Sequence, residues 1–205
     1  MNFAEVVQAW DRADPKFIHP AREHESEAAY QASGQQQADA IAELLSPGAT
    51  VLDFGCGDGR VAIPLHQHGF HVIAADSSVN MLNRLSARKP EIGTLPTDGS
   101  DLTARLGDLA LDDVDAVVCL AVLIHHDHAG GRRIIEALAE VLHPGGLMIL
   151  HWPSSESPSE RRTWIEVTTW SAAQQEALLG ELGLRDAGLK LPPALATGVI
   201  RALTT

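Results

Sequence analysis

The stretch Val51–Arg60, VLDFGCGDGR, constrains this chain more than any other. Its apolar run from Val51 to Phe54 carries one carboxylate, Asp53, and passes into Gly55, Gly57 and Gly59, separated by Cys56 and Asp58. A helical pattern begins near Arg60. Glycine tolerates positive φ and lets the backbone approach a ligand closely. A strand, a glycine turn and a helix in that order is how doubly wound α/β folds build sites for nucleotide-like ligands.

The rest of the chain extends that pattern. Strands are predicted at Thr50–Phe54, His71–Ala75, Glu91–Leu95, Val114–Leu120 and Leu147–His151. Helices are predicted at about Arg60–His68, at Val79–Arg88, around Leu102 and in GGRRIIEALAEVL, where Ile134, Ile135, Leu138, Val141 and Leu142 fall at helical spacing. VDAVVCL, from Val114 to Leu120, is the continuous apolar run of a strand buried on both faces. Alternation of this kind predicts right-handed crossovers and a sheet covered on both sides. HPGG is expected to turn the chain between the last of these helices and the fifth strand. Ser171 is a predicted N-cap for a helix over Ala172–Leu182, with Gly183 as its stop. Two final strands, near Leu184–Lys190 and Thr197–Leu203, are joined by a connection too short for a helical crossover, so they should pair antiparallel. The fold expected is a Rossmann-like, doubly wound α/β domain over residues 1–205. Its mostly parallel seven-stranded sheet has an antiparallel strand near one edge. Residues 46–205 form the core, and residues 1–45, with helices at Asn2–Asp11 and Gly34–Leu45, form a helical lid segment.

With 27 acidic and 15 basic side chains, the chain has a formal net charge of −12 and no dense basic run. Nucleic-acid affinity rests on cations that neutralise phosphates, so a nucleic-acid partner is disfavoured, and so is an anionic membrane surface. No apolar run reaches the ~20 residues of a membrane span, and the N-terminus is too acidic for a signal peptide. A cytoplasmic protein is expected. The two cysteines, Cys56 and Cys119, read as small buried hydrophobes.

Three ligand classes compete for the glycine loop. A triphosphate loop needs a Gly-Lys-Ser/Thr ending, whereas Gly59 is followed by Arg60 and Val61. A dinucleotide loop needs G-x-G-x-x-G, and a carboxylate at Asp53 would repel a pyrophosphate. A ligand with a cationic group and no phosphate suits these residues better.

At this point the chain resembles the class I S-adenosylmethionine-dependent methyltransferases, whose first motif is an acidic residue followed by G-x-G-x-G. VIAADSSVNML, TDGSDL, CLAVLIHH and LAEVLHPGGLMIL are similar to that family's further motifs, in the right order, and TWSAAQQEALLGELGLRDAG resembles the last helix and sixth strand of its small-molecule branch. The resemblance implies that S-adenosylmethionine is the cofactor, leaving S-adenosylhomocysteine as product, with no metal. It further implies that Asp53 and the loop backbone (Gly55, Cys56, Gly57, Gly59) face the methionine portion and that the Leu120 carbonyl takes its ammonium. Asp98 would accept from the adenine amino group, with Gly99 beside it and Asp101 as an alternative, and Met81 would pack near the ribose or adenine. Asp76, with Ser77 beside it, lies about twenty residues past the loop, where a carboxylate can accept from ribose hydroxyls. A helix N-cap is its competing role.

The activity this implies is methyl transfer to a small-molecule acceptor. The alternatives are another alkyl or aminopropyl transfer on the same cofactor framework, or a non-catalytic binding partner. His125 and His126, just past the fourth strand, are the candidates for a general base, because imidazole can accept a proton near neutral pH. HHDH and HQHGFH also invite a metal reading, which the HWPSSES segment after strand five does not support. Trp10, Tyr30, Trp152, Trp164 and Trp170 are most of the aromatics. Tyr30, Ser33, Arg22 and Trp152 are the expected lid and substrate residues.

Overall fold

The computed structural model describes residues 3–12, 26–160 and 166–205. Seven strands form one sheet in the order β3-β2-β1-β4-β5-β7-β6. They are β1 (Thr50–Phe54), β2 (His71–Asp76), β3 (Gly93–Pro96), β4 (Val114–Cys119), β5 (Leu142–His151), β6 (Arg185–Asp186) and β7 (Ile200–Thr204). The pairs β1–β2, β1–β4, β2–β3 and β4–β5 are parallel, and β7 runs antiparallel to both β5 and β6. The antiparallel strand therefore sits one place in from the edge.

Seven helices accompany the sheet among the described residues: α1 (Phe3–Arg12), α2 (Glu27–Ala42), α3 (Ala62–Gln67), α4 (Val79–Arg88), α5 (Leu102–Asp108), α6 (His128–Glu140) and α7 (Ala172–Leu182). Side chains in a strand alternate between faces, and the core divides accordingly. Leu52, Val117, Cys119, Met148 and Leu150 pack against α5, α6 and α7. Val51, Ala116, Val118 and Ile149 pack against α2, α3 and α4. We refer to these as the first and second faces. No helix among the described residues is long and apolar enough to cross a membrane.

Caps account for the helix boundaries. Ser78, Asp127 and Ser171 each accept from a backbone amide at the start of α4, α6 and α7. Gly183 closes α7 in the left-handed region, as expected. The second helix departs from expectation. It begins at Glu27 because Ser26 accepts from the Ala29 amide, and it carries Gly34 in its interior rather than at its start.

Two strand boundaries also differ. HPGG does not separate α6 from β5. It lies inside β5 as an irregularity, where the register with β4 jumps from Val114↔Leu142 to Ala116↔Leu147. Gly145 takes φ +81° there, and a Cβ on Gly146 would stand 2.8 Å from the Asp115 carbonyl oxygen. At the other edge, β6 is only two residues long. Gly188 turns the chain with φ +65°, and its amide donates to the Asp186 carboxylate.

Helix α2 is fastened to the glycine loop by closely packed polar contacts. Tyr30 Oη donates to Asp58 Oδ1 at 3.2 Å, and Arg88 donates to both the Asp58 carbonyl and Oδ2 at 3.1 Å. Arg88 also reaches Gln31 on the same helix, at 3.0 Å. Arg60 lies 5.5 Å over the Tyr30 ring and donates to Ser33 Oγ at 3.2 Å. A Cβ built on Gly34 would stand 2.1 Å from the Arg60 carbonyl oxygen, so this helix approaches the loop as closely as backbone allows. Alanine is ordinarily the better helix former, by ~1 kcal/mol. At this position Gly34→Ala should do the opposite and destabilise the protein by roughly 1–3 kcal/mol through overpacking. Urea unfolding followed by circular dichroism measures the sign.

Candidate functional site

A cavity of about 510 Å3 opens across the C-terminal ends of β1, β2, β3, β4 and β5 and the start of β7. Open α/β sheets bind ligands at these strand ends, where the strand order reverses. Here the reversal lies at β1, which has β2 on one side and β4 on the other.

The floor is the glycine loop. Gly55 (φ +74°) and Gly57 (φ +57°) are left-handed, and both line the cavity. The Gly55 and Cys56 amides donate to the Ala75 carbonyl at 2.8 and 3.0 Å, which pins the loop to β2. A Cβ on Gly55 would meet Val122 Cγ2 at 2.1 Å, so the loop after β4 closes directly over it. Gly59 does not line the cavity. Its missing Cβ, 2.9 Å from Leu85 Cδ1, makes room for α4. Gly99 is likewise off the lining and packs on the Phe54 ring, 3.2 Å from its Cβ position. These two glycines shape the walls rather than touch what the cavity holds.

Three carboxylates face the cavity from the ends of β1, β2 and β3. Asp53 is 3% exposed, and among the described residues its Oδ2 has no hydrogen-bond partner. Burial, with the Asp76 carboxylate adding to it, pushes its pKa up to about 7 against the pull of Arg60. Asp76 accepts from the Gly57 amide at 2.9 Å and from the Ser78 amide at 2.7 Å, and burial raises its pKa too. The helix cap of α4 is Ser78, so the competing role for Asp76 belongs to the residue two places on. Ser77 and Met81 also line the cavity. Asp98 lies on the rim, held below the usual carboxylate range by bonds from Ser100. Asp101, the alternative to Asp98, is off the lining and bonded to Thr97 and Arg105.

The other half of the cavity carries different chemistry. Leu120 is followed by Ala121 in the left-handed region (φ +60°), a conformation that L side chains seldom adopt. A short 3-10 turn, Leu123–His125, then brings His125 and His126 to the cavity. Trp10 of α1 meets the His125 ring edge to face at 5.0 Å. Asp11, the next residue, accepts from Ser78 Oγ at 2.5 Å, so α1 lies between the α4 N-terminus and the turn after β4.

Not every expected residue is there. Trp152 is 1% exposed in the first-face core, edge to face with Trp170 at 5.4 Å. The strand period explains the correction: Met148, Leu150 and Trp152 share one face, so His151 is the residue turned to the cavity, and alternation along MILHW was the signal for it. Ser33 is also off the lining, donating to the Tyr30 carbonyl at 2.7 Å while it accepts from Arg60. Tyr30 does line the cavity. Arg22 and Trp164 lie outside the described residues. Gln37, Thr97, Thr197, Val199 and Ile200 complete the wall. Thr197 and Val199 come from the connection into β7 and Ile200 from its first position, and their arrival beside β5 has no local sequence signal.

Both cysteine thiols are pushed up in pKa by burial, so neither offers a thiolate near neutral pH. No cluster of three or more His, Cys, Asp or Glu that could hold a metal occurs among the described residues. Three carboxylates against one cation, Arg60, suit a ligand with positive charge and disfavour a polyphosphate.

The raised pKa of Asp53 sets a pH dependence. Between the ordinary carboxylate pKa of 3.8 and about 7, the unfolded chain has released this proton while the folded protein still holds it. Stability without a ligand should therefore fall across that window and level off above it. Asp53→Asn should flatten that dependence and raise the thermal midpoint at pH 8, as scanning calorimetry across pH would show.

Residues 51–146 match the family described as methyltransferase domain. Magnesium-protoporphyrin O-methyltransferase from Synechocystis sp. is 34% identical over 115 residues, covering 52% of this chain and 48% of that protein. An uncharacterized methyltransferase from Mycobacterium tuberculosis is 31% identical over 168 residues, covering 80% of this chain and 56% of that protein. The chain thus spans about half the length of these curated relatives. The crystal structure of the Synechocystis magnesium protoporphyrin IX methyltransferase with bound SAH superposes with a TM-score of 0.66 at 20% identity, covering 98% of each chain. The match over residues 51–146 thus relates that segment to methyltransferase domains, and the strand order and superposition place it on a fold shared with a solved methyltransferase.

Proposed function

We propose that this chain transfers a methyl group from S-adenosylmethionine to a small-molecule acceptor. The observation that carries the reading is a single cavity with carboxylates at the ends of β1, β2 and β3 and histidines at the ends of β4 and β5. The two halves offer two kinds of partner. The carboxylate half fits the cofactor: Asp53 for the charged methionine portion, Asp76 for the ribose hydroxyls, and Asp98 on the rim for the adenine amino group. Asp76 keeps acceptor capacity while it holds the Gly57 and Ser78 amides, because each carboxylate oxygen has two lone pairs.

Bound there, S-adenosylmethionine supplies a methyl group already activated by its sulfonium. The chain's own task is alignment, and orientation alone can account for ~7–11 kcal/mol of such a barrier. The wall formed by Trp10, Val122, Val199 and Ile200 would orient an apolar or aromatic acceptor and exclude water. His125 or His126 would accept a proton from an acceptor that must lose one, with His151 at the end of the neighbouring strand β5. The curated and solved relatives, which include a protoporphyrin methyltransferase, support a small-molecule acceptor.

Thermal unfolding with S-adenosylmethionine, S-adenosylhomocysteine or NAD tests the cofactor. A ligand at about 100 times its dissociation constant adds ~2.7 kcal/mol, roughly 5–11 °C for a domain of this size. The two sulfur ligands should give that rise, NAD should not, and Asp76→Ala should reduce it. A rise with NAD alone would overturn the reading. Release of S-adenosylhomocysteine in the presence of a panel of phenols, amines and heterocycles tests turnover.

A further inference from the structure

Among the described residues, two buried side-chain oxygens without hydrogen-bond partners belong to side chains that line the cavity. One is Asp53 Oδ2; the other is Oε1 of Gln37, on α2. An acceptor buried without a donor is costly to a fold, so its presence at a cavity wall needs a reason. A ligand that brings the donor supplies one.

Placement narrows which donor. Tyr30, Gly34, Gln37 and Ile41 recur at helical spacing along one side of α2. Tyr30 and Gln37 line the cavity, Gly34 presses on the Arg60 carbonyl, and Ile41 packs in the second-face core with Cys56 and Val61. Gln37 therefore lies on the side of α2 that packs over the loop following β1. Asp53 shares its side of the sheet. Val51 packs on the second face and Leu52 on the first, so Asp53 returns to the second face, the one that α2 covers.

We propose that Gln37 is a specificity-determining residue with which α2 recognises the amino group of the cofactor's methionine portion, its amide oxygen accepting one N–H while Asp53 supplies the countercharge. This rests on the cofactor assignment above. An ammonium carries three donors and no acceptor, which matches an amide oxygen and one carboxylate oxygen that both lack donors. The contact also couples binding to the clasp between α2 and the glycine loop, because the same helix holds Asp58 and Arg60 through Tyr30 and Ser33.

Isothermal titration of S-adenosylhomocysteine, and of its analogue with hydrogen in place of the amino group, into wild type, Gln37→Leu and Gln37→Glu tests this. Gln37→Leu should weaken S-adenosylhomocysteine about tenfold and leave the deaminated analogue unchanged. Gln37→Glu keeps an acceptor and should bind S-adenosylhomocysteine at least as tightly as wild type near neutral pH. Gln37→Leu should also raise the thermal midpoint without ligand, since it removes the orphaned oxygen. Equal weakening of both ligands by Gln37→Leu would overturn the proposal, as would loss of binding in both variants, which would make the amide a donor instead. Unchanged affinity with a raised KM for the methyl acceptor would overturn it too, placing Gln37 on the acceptor. Failure of wild type to bind S-adenosylhomocysteine at all would instead remove the cofactor assignment, and this proposal with it.

Discussion

The loop after β1 is held by two anchors on β2, and the site depends on both. The Ala75 carbonyl takes the amides of Gly55 and Cys56, and the Asp76 carboxylate takes those of Gly57 and Ser78. One strand end thereby fixes both the loop and the start of α4. Left-handed backbone at Gly55 and Gly57 makes the turn possible without a steric penalty. With the loop pinned in this way, Val122 can close over Gly55, and the C-terminal ends of the strands are left open as a cavity rather than filled by side chains.

The second determinant is the clasp between α2 and the loop. Asp58 is buried, and Tyr30 and Arg88 converge on it from two helices; their positive charge and hydrogen bond oppose a desolvation that raises its pKa. Gly34 lets the helix seat against the Arg60 carbonyl. The expected lid segment thus has two parts with different characters. Helix α2 is built into the core through Ala38 and Ile41, whereas α1 reaches the cavity through Trp10 and ties to α4 through Asp11.

The cavity sorts its charges by strand. Carboxylates stand at the ends of β1, β2 and β3, imidazoles at the ends of β4 and β5. A carboxylate at a buried position is stabilised in its charged form by a nearby cation, and Arg60, already engaged with Ser33 and Tyr30, only partly supplies one to Asp53. A cationic ligand completes that charge balance. The same field disfavours the polyphosphates that most glycine loops of doubly wound folds accept.

Much of this was legible in the sequence because it is local. Strand β1, helix α4 and helix α7, with the Ser171 cap and the Gly183 stop, follow from patterns within a dozen residues. The glycine loop, Asp76 and the paired histidines after β4 could be placed at strand ends from alternation alone. Tertiary structure decided what depends on distant partners. Packing against α6 and α7 chose the face of β5 that buries Trp152 and leaves His151 to the cavity, and Ser33 was drawn off to Arg60 by the close approach of α2 at Gly34. The wall at Thr197, Val199 and Ile200, and the side chain of Gln37, came to the site only through β7 pairing with β5 and α2 packing over β1. The sequence by itself determined the element order and the loop chemistry, since both are written in neighbouring residues. Which side chains face one another across the cavity is set by packing between segments far apart in the chain, and only the folded structure decides that.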